Sequence, residues 1–90
     1  MIRSFKHKGL KELFEVGGTR LINKEMHARC LRRLDLLNQA SKPEEMNVPG
    51  FNFHALKGDS RYTVHVNGPW CVTFEFQDGN AENVDFEQYH

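Results

Sequence analysis

The stretch Pro69-Trp70-Cys71-Val72-Thr73-Phe74-Glu75-Phe76 decides the fold. Trp70, Val72, Phe74 and Phe76 alternate with Cys71, Thr73 and Glu75, which is the period of a β-strand with one strongly apolar face. Asn67-Gly68 stands before it and Asp78-Gly79 after it, and both dipeptides favour hairpin turns. The strand is therefore expected to be central, with an antiparallel neighbour on each side.

Working outward, Arg61 to Asn67 alternates in the same way, with Tyr62, Val64 and Val66 inward. Lys57-Gly58-Asp59-Ser60 is a turn, and upstream of it Phe51, Phe53 and Ala55 face one way while Asn52 and His54 face the other. After the Asp78-Gly79 turn a last strand carries Val84 and Phe86, and Tyr89-His90 follow it. The first half of the chain has helical periods. His7 to Glu15 places Leu10, Leu13 and Phe14 on one face, with Gly17-Gly18 as the stop and Gly9 as an internal cost. Asn23 is a candidate N-cap for a second helix in which Met26, Cys30, Leu34 and Leu37 form an apolar line. Ser41 with Glu44 suggests a capping box for a short helical turn to Met46, and Ile2 to Phe5 has the alternation of a short strand. Two helices followed by an antiparallel run of strands is an α+β pattern.

Ninety residues without a linker, repeat or low-complexity segment are read as one domain, residues 1–90. A chain of this size buries only about 60–65% of its unfolded surface, and seven Phe, one Trp and two Tyr supply the bulk for that core. No apolar run approaches membrane-spanning length and no signal-peptide pattern is present, so the expectation is a soluble cytoplasmic protein without membrane partners. Two cysteines make no disulfide framework and are expected as buried thiols. The net charge of zero conceals an asymmetry: residues 1–33 hold nine Lys/Arg against three Asp/Glu, and residues 34–90 hold three against nine. A basic half of this kind suits phosphate contact. Arg29, Arg32 and Arg33 cluster beside the apolar line of the second helix and are candidates for RNA-phosphate contact.

Candidate chemistry gathers on the sheet. His54 lies on the polar side of its strand, Lys57 and Arg61 flank the next turn, and Tyr89 and His90 follow the last strand. Imidazole, ammonium, guanidinium and phenol suit an acid–base site around a phosphate, where a base takes the 2′-hydroxyl proton and an acid protonates the leaving oxygen. The five histidines show no paired metal-ligand spacing, and no phosphate-cradling Gly-rich loop or nucleophile elbow occurs, so neither metal nor cofactor is expected.

At these residues the chain resembles the HigB-type toxins of the RelE-like superfamily, the plasmid maintenance killer branch. The resemblance rests on Met1-Ile-Arg-Ser-Phe-Lys-His-Lys-Gly-Leu10 and on Pro49-Gly-Phe-Asn-Phe-His-Ala-Leu-Lys-Gly-Asp59. It continues through the strand from Val66 to Phe76 and the ending Phe86-Glu-Gln-Tyr-His90. It implies two helices packed on a mostly antiparallel sheet, and a ribosome-dependent, metal-independent mRNA endonuclease that cuts in the A site against 30S ribosomal RNA. It also implies a HigA-type helix-turn-helix antitoxin, with operator DNA bound only through the antitoxin complex. By match the functional residues fall on His54, Lys57, Tyr89 and His90, leaving Arg61 as a further phosphate candidate. Two positions depart from the family pattern: Cys71 stands where an Arg is common, and Gln88 where an Asp is common. The alternative implied by those departures is a catalytically weakened homologue that binds its antitoxin as a transcriptional co-repressor.

Overall fold

A computed structural model describes residues 1–58 and 60–89. Helix α1 spans Lys8–Val16 and α2 spans His27–Gln39; strands β1 (His54–Ala55), β2 (Arg61–Asn67), β3 (Trp70–Gln77) and β4 (Asn80–Gln88) form one antiparallel sheet in the order β1-β2-β3-β4. The quoted stretch is thus an internal strand, paired with β2 on one side and β4 on the other.

The two hairpins that β3 forms have two-residue loops. Asp78 (φ 54°) and Gly79 (φ 78°) join β3 to β4, and two successive positive φ angles make the type I′ geometry that matches strand twist. Gly68 (φ 56°) and Pro69 join β2 to β3, with proline fixing the negative φ that follows. The alternation then sorts the sheet into two faces. Val64, Val66, Val72, Phe74, Val84 and Phe86 lie buried under the helices, joined by Leu10, Leu13, Cys30, Leu34 and Leu37 from α1 and α2. Trp70 and Phe76, at the two ends of β3, are half-buried, and Trp70 stacks on Phe86 at 4.7 Å.

The local signals act as expected with four refinements. Helix α1 ends at Gly17 (φ 93°), whose amide donates to the Leu13 carbonyl, and begins at a histidine cap: His7 Nδ1 accepts from the amides of Gly9 and Leu10. Gly9 has a steric reason beyond helix propensity, since a Cβ there would lie 2.8 Å from His7 Cε1 and 2.9 Å from Leu21 Cβ. Asn23 caps a single 3-10 turn (Lys24–Met26) that leads into α2, rather than α2 itself. The Ser41 cap bonds Glu45, not Glu44, through both its amide and its hydroxyl, and the segment that follows is a 3-10 turn, Pro43–Met46. The expected strand at Ile2–Phe5 is reduced to two parallel bridges, Ile2 to Ala81 and Phe5 to Val84, along the outer edge of β4. The strand expected from Phe51 is only two residues long, because Asn52 takes φ 48° and turns the chain between buried Phe51 and the strand.

Candidate active site

The sheet face turned away from the helices is polar, and its register sets out three rows. His54, Thr63, Thr73 and Asp85 lie opposite one another in the first row; His65, Cys71 and Glu87 form the second; Arg61 and Glu75 begin the third. A cleft of about 840 Å³ opens over the first two rows at the β1 side of the sheet. Its floor includes Thr63, His65 and Cys71, and its walls are Asn52, His54 and Lys57 on one side and Gly68, Pro69 and Tyr89 on the other.

Local structure explains why these groups converge. His54 reaches the cleft because β1 pairs in register with Thr63, whose side chain faces that side. Lys57 sits exposed in a turn closed by the Leu56 amide on the Arg61 carbonyl (2.9 Å), with Gly58 at φ 72°. Tyr89 lies beyond the end of β4 yet is tied down: its amide donates to the Pro69 carbonyl at 2.7 Å, which draws the chain end across the β2–β3 turn. The structure therefore brings His54 and Lys57, from β1 and the turn after it, to one cavity with Tyr89 from beyond the end of β4. His90, the fourth expected member, lies outside the described residues.

The arginines are distributed differently from expectation. Arg61 does not face the cleft. It is buried, and its guanidinium donates to Glu75 (2.9 Å), to Thr73 Oγ1 (2.8 Å) and to the Asn83 carbonyl (2.9 Å). Thr73 in turn donates to Glu87, whose carboxylate lies 4.0 Å from Arg61. A bulge at Asn83 and Val84, where Asn83 has φ 51°, presents that carbonyl to Arg61. The donors of Arg61 are thus committed to groups on β3 and β4, and its side chain is not part of the cleft lining.

Arg33 is also turned inward. It is 7% exposed, its Nε donates to the His65 carbonyl (2.7 Å) and its Nη1 to the Arg29 carbonyl (3.0 Å), and its guanidinium lies 4.3 Å from the centre of the Phe51 ring. Burial, followed by the nearby Arg32 charge, lowers its pKa from the usual guanidinium value. Arg29 and Arg32 remain exposed on α2. Both cysteines are buried and free. Burial raises the Cys30 pKa to about 11, against a smaller opposing effect of Arg33.

His65 and Asn52 line the cleft without being among the expected site residues. His65 was considered only for metal spacing; the signal that places it is the strand alternation, which puts it on the same face as Thr63 and Arg61. Asn52 had been assigned to the polar side of a strand, but its positive φ sets it on the cleft wall. No helix among the described residues is long and apolar enough to cross a membrane.

Comparison with known proteins agrees with this architecture. Residues 3–90 match the family model described as the RelE-like toxin of type II toxin–antitoxin system HigB. A relative named endoribonuclease HigB, from Proteus vulgaris, is 39% identical over 92 residues, an alignment that covers all of both chains. The chain therefore belongs to the HigB-like family of RelE-like toxins of type II toxin–antitoxin systems.

Proposed function

We propose that this protein is a cytoplasmic, ribosome-dependent mRNA endonuclease that cleaves mRNA in the A site without a metal ion, and that a HigA-type helix-turn-helix antitoxin restrains it. The observation that carries the reading is the convergence of His54, Lys57 and Tyr89 on one cleft, in a chain similar along its length to an endoribonuclease HigB. The Lys57 ammonium is the cleft's fixed positive charge and holds the scissile phosphate. His54 and His90 are the acid–base candidates that the resemblance supplies, and Tyr89 stacks on a base or orients the proton transfer. Arg29 and Arg32, exposed on α2, rest on 30S ribosomal RNA. Operator DNA is contacted only through the antitoxin complex. Dependence on the ribosome follows from the cleft's economy: few groups surround the phosphate, so the RNA must be positioned from outside.

Cys71 favours a second reading. It lies in the cleft lining where the resemblance led us to expect an arginine, and Arg61 is held away from the cleft by its carboxylates. A homologue with one fewer cation at the phosphate would cut weakly and act as an antitoxin-binding co-repressor. Growth after induction, combined with mapping of mRNA 5′ ends, separates the two. Arrest with cuts in translated codons, relieved by the partner gene and abolished by Lys57→Ala, is the expected result. Tight antitoxin binding without arrest or cuts favours the co-repressor.

A further inference from the structure

His65 carries a further inference, which rests on the ribonuclease reading above. Its side chain lines the same cleft as His54 and Lys57. Its ring Nε2 lies 2.9 Å from the Gly68 carbonyl. A carbonyl oxygen only accepts, so Nε2 carries the hydrogen, and in the neutral ring the lone pair is on Nδ1. No hydrogen bond to Nδ1 is formed among the described residues. A ring whose far nitrogen is tied to a backbone carbonyl is fixed in tautomer and orientation, with its other nitrogen left basic.

The backbone around His65 is fixed as firmly. Its amide donates to the Phe51 carbonyl (2.6 Å), and its carbonyl accepts from buried Arg33 (2.7 Å). These bonds hold it between α2, the segment before β1, and the β2–β3 turn. His54 stands opposite Thr63, two residues along the same face of β2, so the two imidazoles are diagonal neighbours. Diagonal positions on paired strands are about 7–8 Å apart at Cα, a separation that lets one phosphodiester sit between two rings.

We propose that His65, in place of His90, is the general base of the cleavage and that His54 is the acid. His65 Nδ1 takes the proton of the 2′-hydroxyl as that oxygen forms a bond to phosphorus. The bond from phosphorus to the 5′-oxygen breaks, its electron pair leaves with that oxygen, and the His54 imidazolium supplies the proton. The products are a 2′,3′-cyclic phosphate and a 5′-hydroxyl, with no water or co-reactant consumed. The charged and titratable groups around His65 are His54 and Lys57 from β1 and the turn after it, Cys71 from β3, Glu87 from β4, Arg33 from α2, and Tyr89.

The test is His65→Gln. Its amide NH₂ reproduces the Nε2 hydrogen bond to Gly68 and removes the base. Single-turnover cleavage of a short mRNA on programmed ribosomes is followed across pH, with ribosome binding and far-UV circular dichroism as controls. The expected result is a rate about 10²–10⁴-fold lower at unchanged affinity, with loss of the acid-side ionisation from the pH profile. A rate within a few-fold of the parent and an unaltered acid limb would overturn the role of His65 while leaving the ribonuclease reading intact. Absence of cleavage by the parent protein would overturn both. Should the variant fold poorly, ring-nitrogen NMR shifts of the parent decide: the Nε2–H tautomer is expected in mildly alkaline solution, and the Nδ1–H tautomer refutes the proposal.

Discussion

Replacing Arg61 by Ala tests whether this cation works on the fold or on RNA. The guanidinium is only 10% exposed, and the carboxylates it serves, Glu75 and Glu87, are 35% and 34% exposed. Removing it leaves Glu75 without its ion-pair partner at 2.9 Å and the Asn83 carbonyl without its donor at 2.9 Å. Glu75 and Glu87, both within 4.0 Å of the lost charge, then lose the cation they share and keep only the neutral donors Asn83 and Thr73. Breaking a fully buried pair costs about 3–5 kcal/mol. Water reaches both carboxylates here, so the lower end, about 3 kcal/mol, is expected. A domain of this size has total stability of roughly 5–13 kcal/mol, and such a loss lowers Tm by about 12–24 °C. Urea unfolding followed by Trp70 fluorescence and by circular dichroism measures it. Adding Glu87→Gln to Arg61→Ala should recover about 1 kcal/mol by removing one of the two facing charges. Below its lowered melting temperature, Arg61→Ala should still cleave within a few-fold of the parent. Stability within about 0.5 kcal/mol of the parent, with cleavage abolished, would refute this assignment and return Arg61 to the phosphate.

Three other outcomes are expected. Arg29→Glu with Arg32→Glu should weaken ribosome pelleting and flatten its salt dependence without loss of fold, whereas Arg33→Glu, placed against Phe51 and the His65 carbonyl, should unfold the protein in a thermal melt. A chain ending at Gln88 should fold and bind antitoxin, because Val84 and Phe86 still anchor β4. With His90 as one of the acid–base pair, its arrest of growth at matched expression is largely lost, through a rate roughly 10²–10⁴-fold lower; with His65 as the base, the loss is the smaller one of Tyr89 alone. Cys30 should resist thiol reagents in the native state at neutral pH. Its folded pKa of about 11 lies above the ordinary thiol value of 9.0, so the stabilisation from the buried neutral thiol is fully present below pH 9.0 and is lost as pH rises through about 11. Urea midpoints across that range, compared with Cys30→Ala, test the sign.

Much of the architecture was legible because it follows from local signals. The alternation in β3, the Asp78-Gly79 turn and the Gly17 stop each depend on residues within a few positions of one another. The fate of Arg61 was not legible, because its partners lie 12, 14 and 22 residues away and depend on register and on the bulge at Asn83. Arg33 did leave a signal. Met26, Cys30, Arg33 and Leu37 follow helical spacing, so an arginine stood in the apolar line and was read as beside it. His54 and Lys57 were found from the text surrounding them, while His65 required knowing which turn carbonyl its ring would meet.

The edge of β4 is sealed by the other end of the chain. The Ala81 amide bonds the Met1 carbonyl, the Arg3 amide bonds the Ala81 carbonyl, and the Lys6 amide bonds the Val84 carbonyl. The consequence concerns biosynthesis. During translation the first few residues wait for a partner strand made some eighty positions later, and Tyr89 cannot close over Pro69 until that strand is in place. Until β4 has left the exit tunnel, the nascent chain lacks both the seal on that edge and the Tyr89 wall of the cleft.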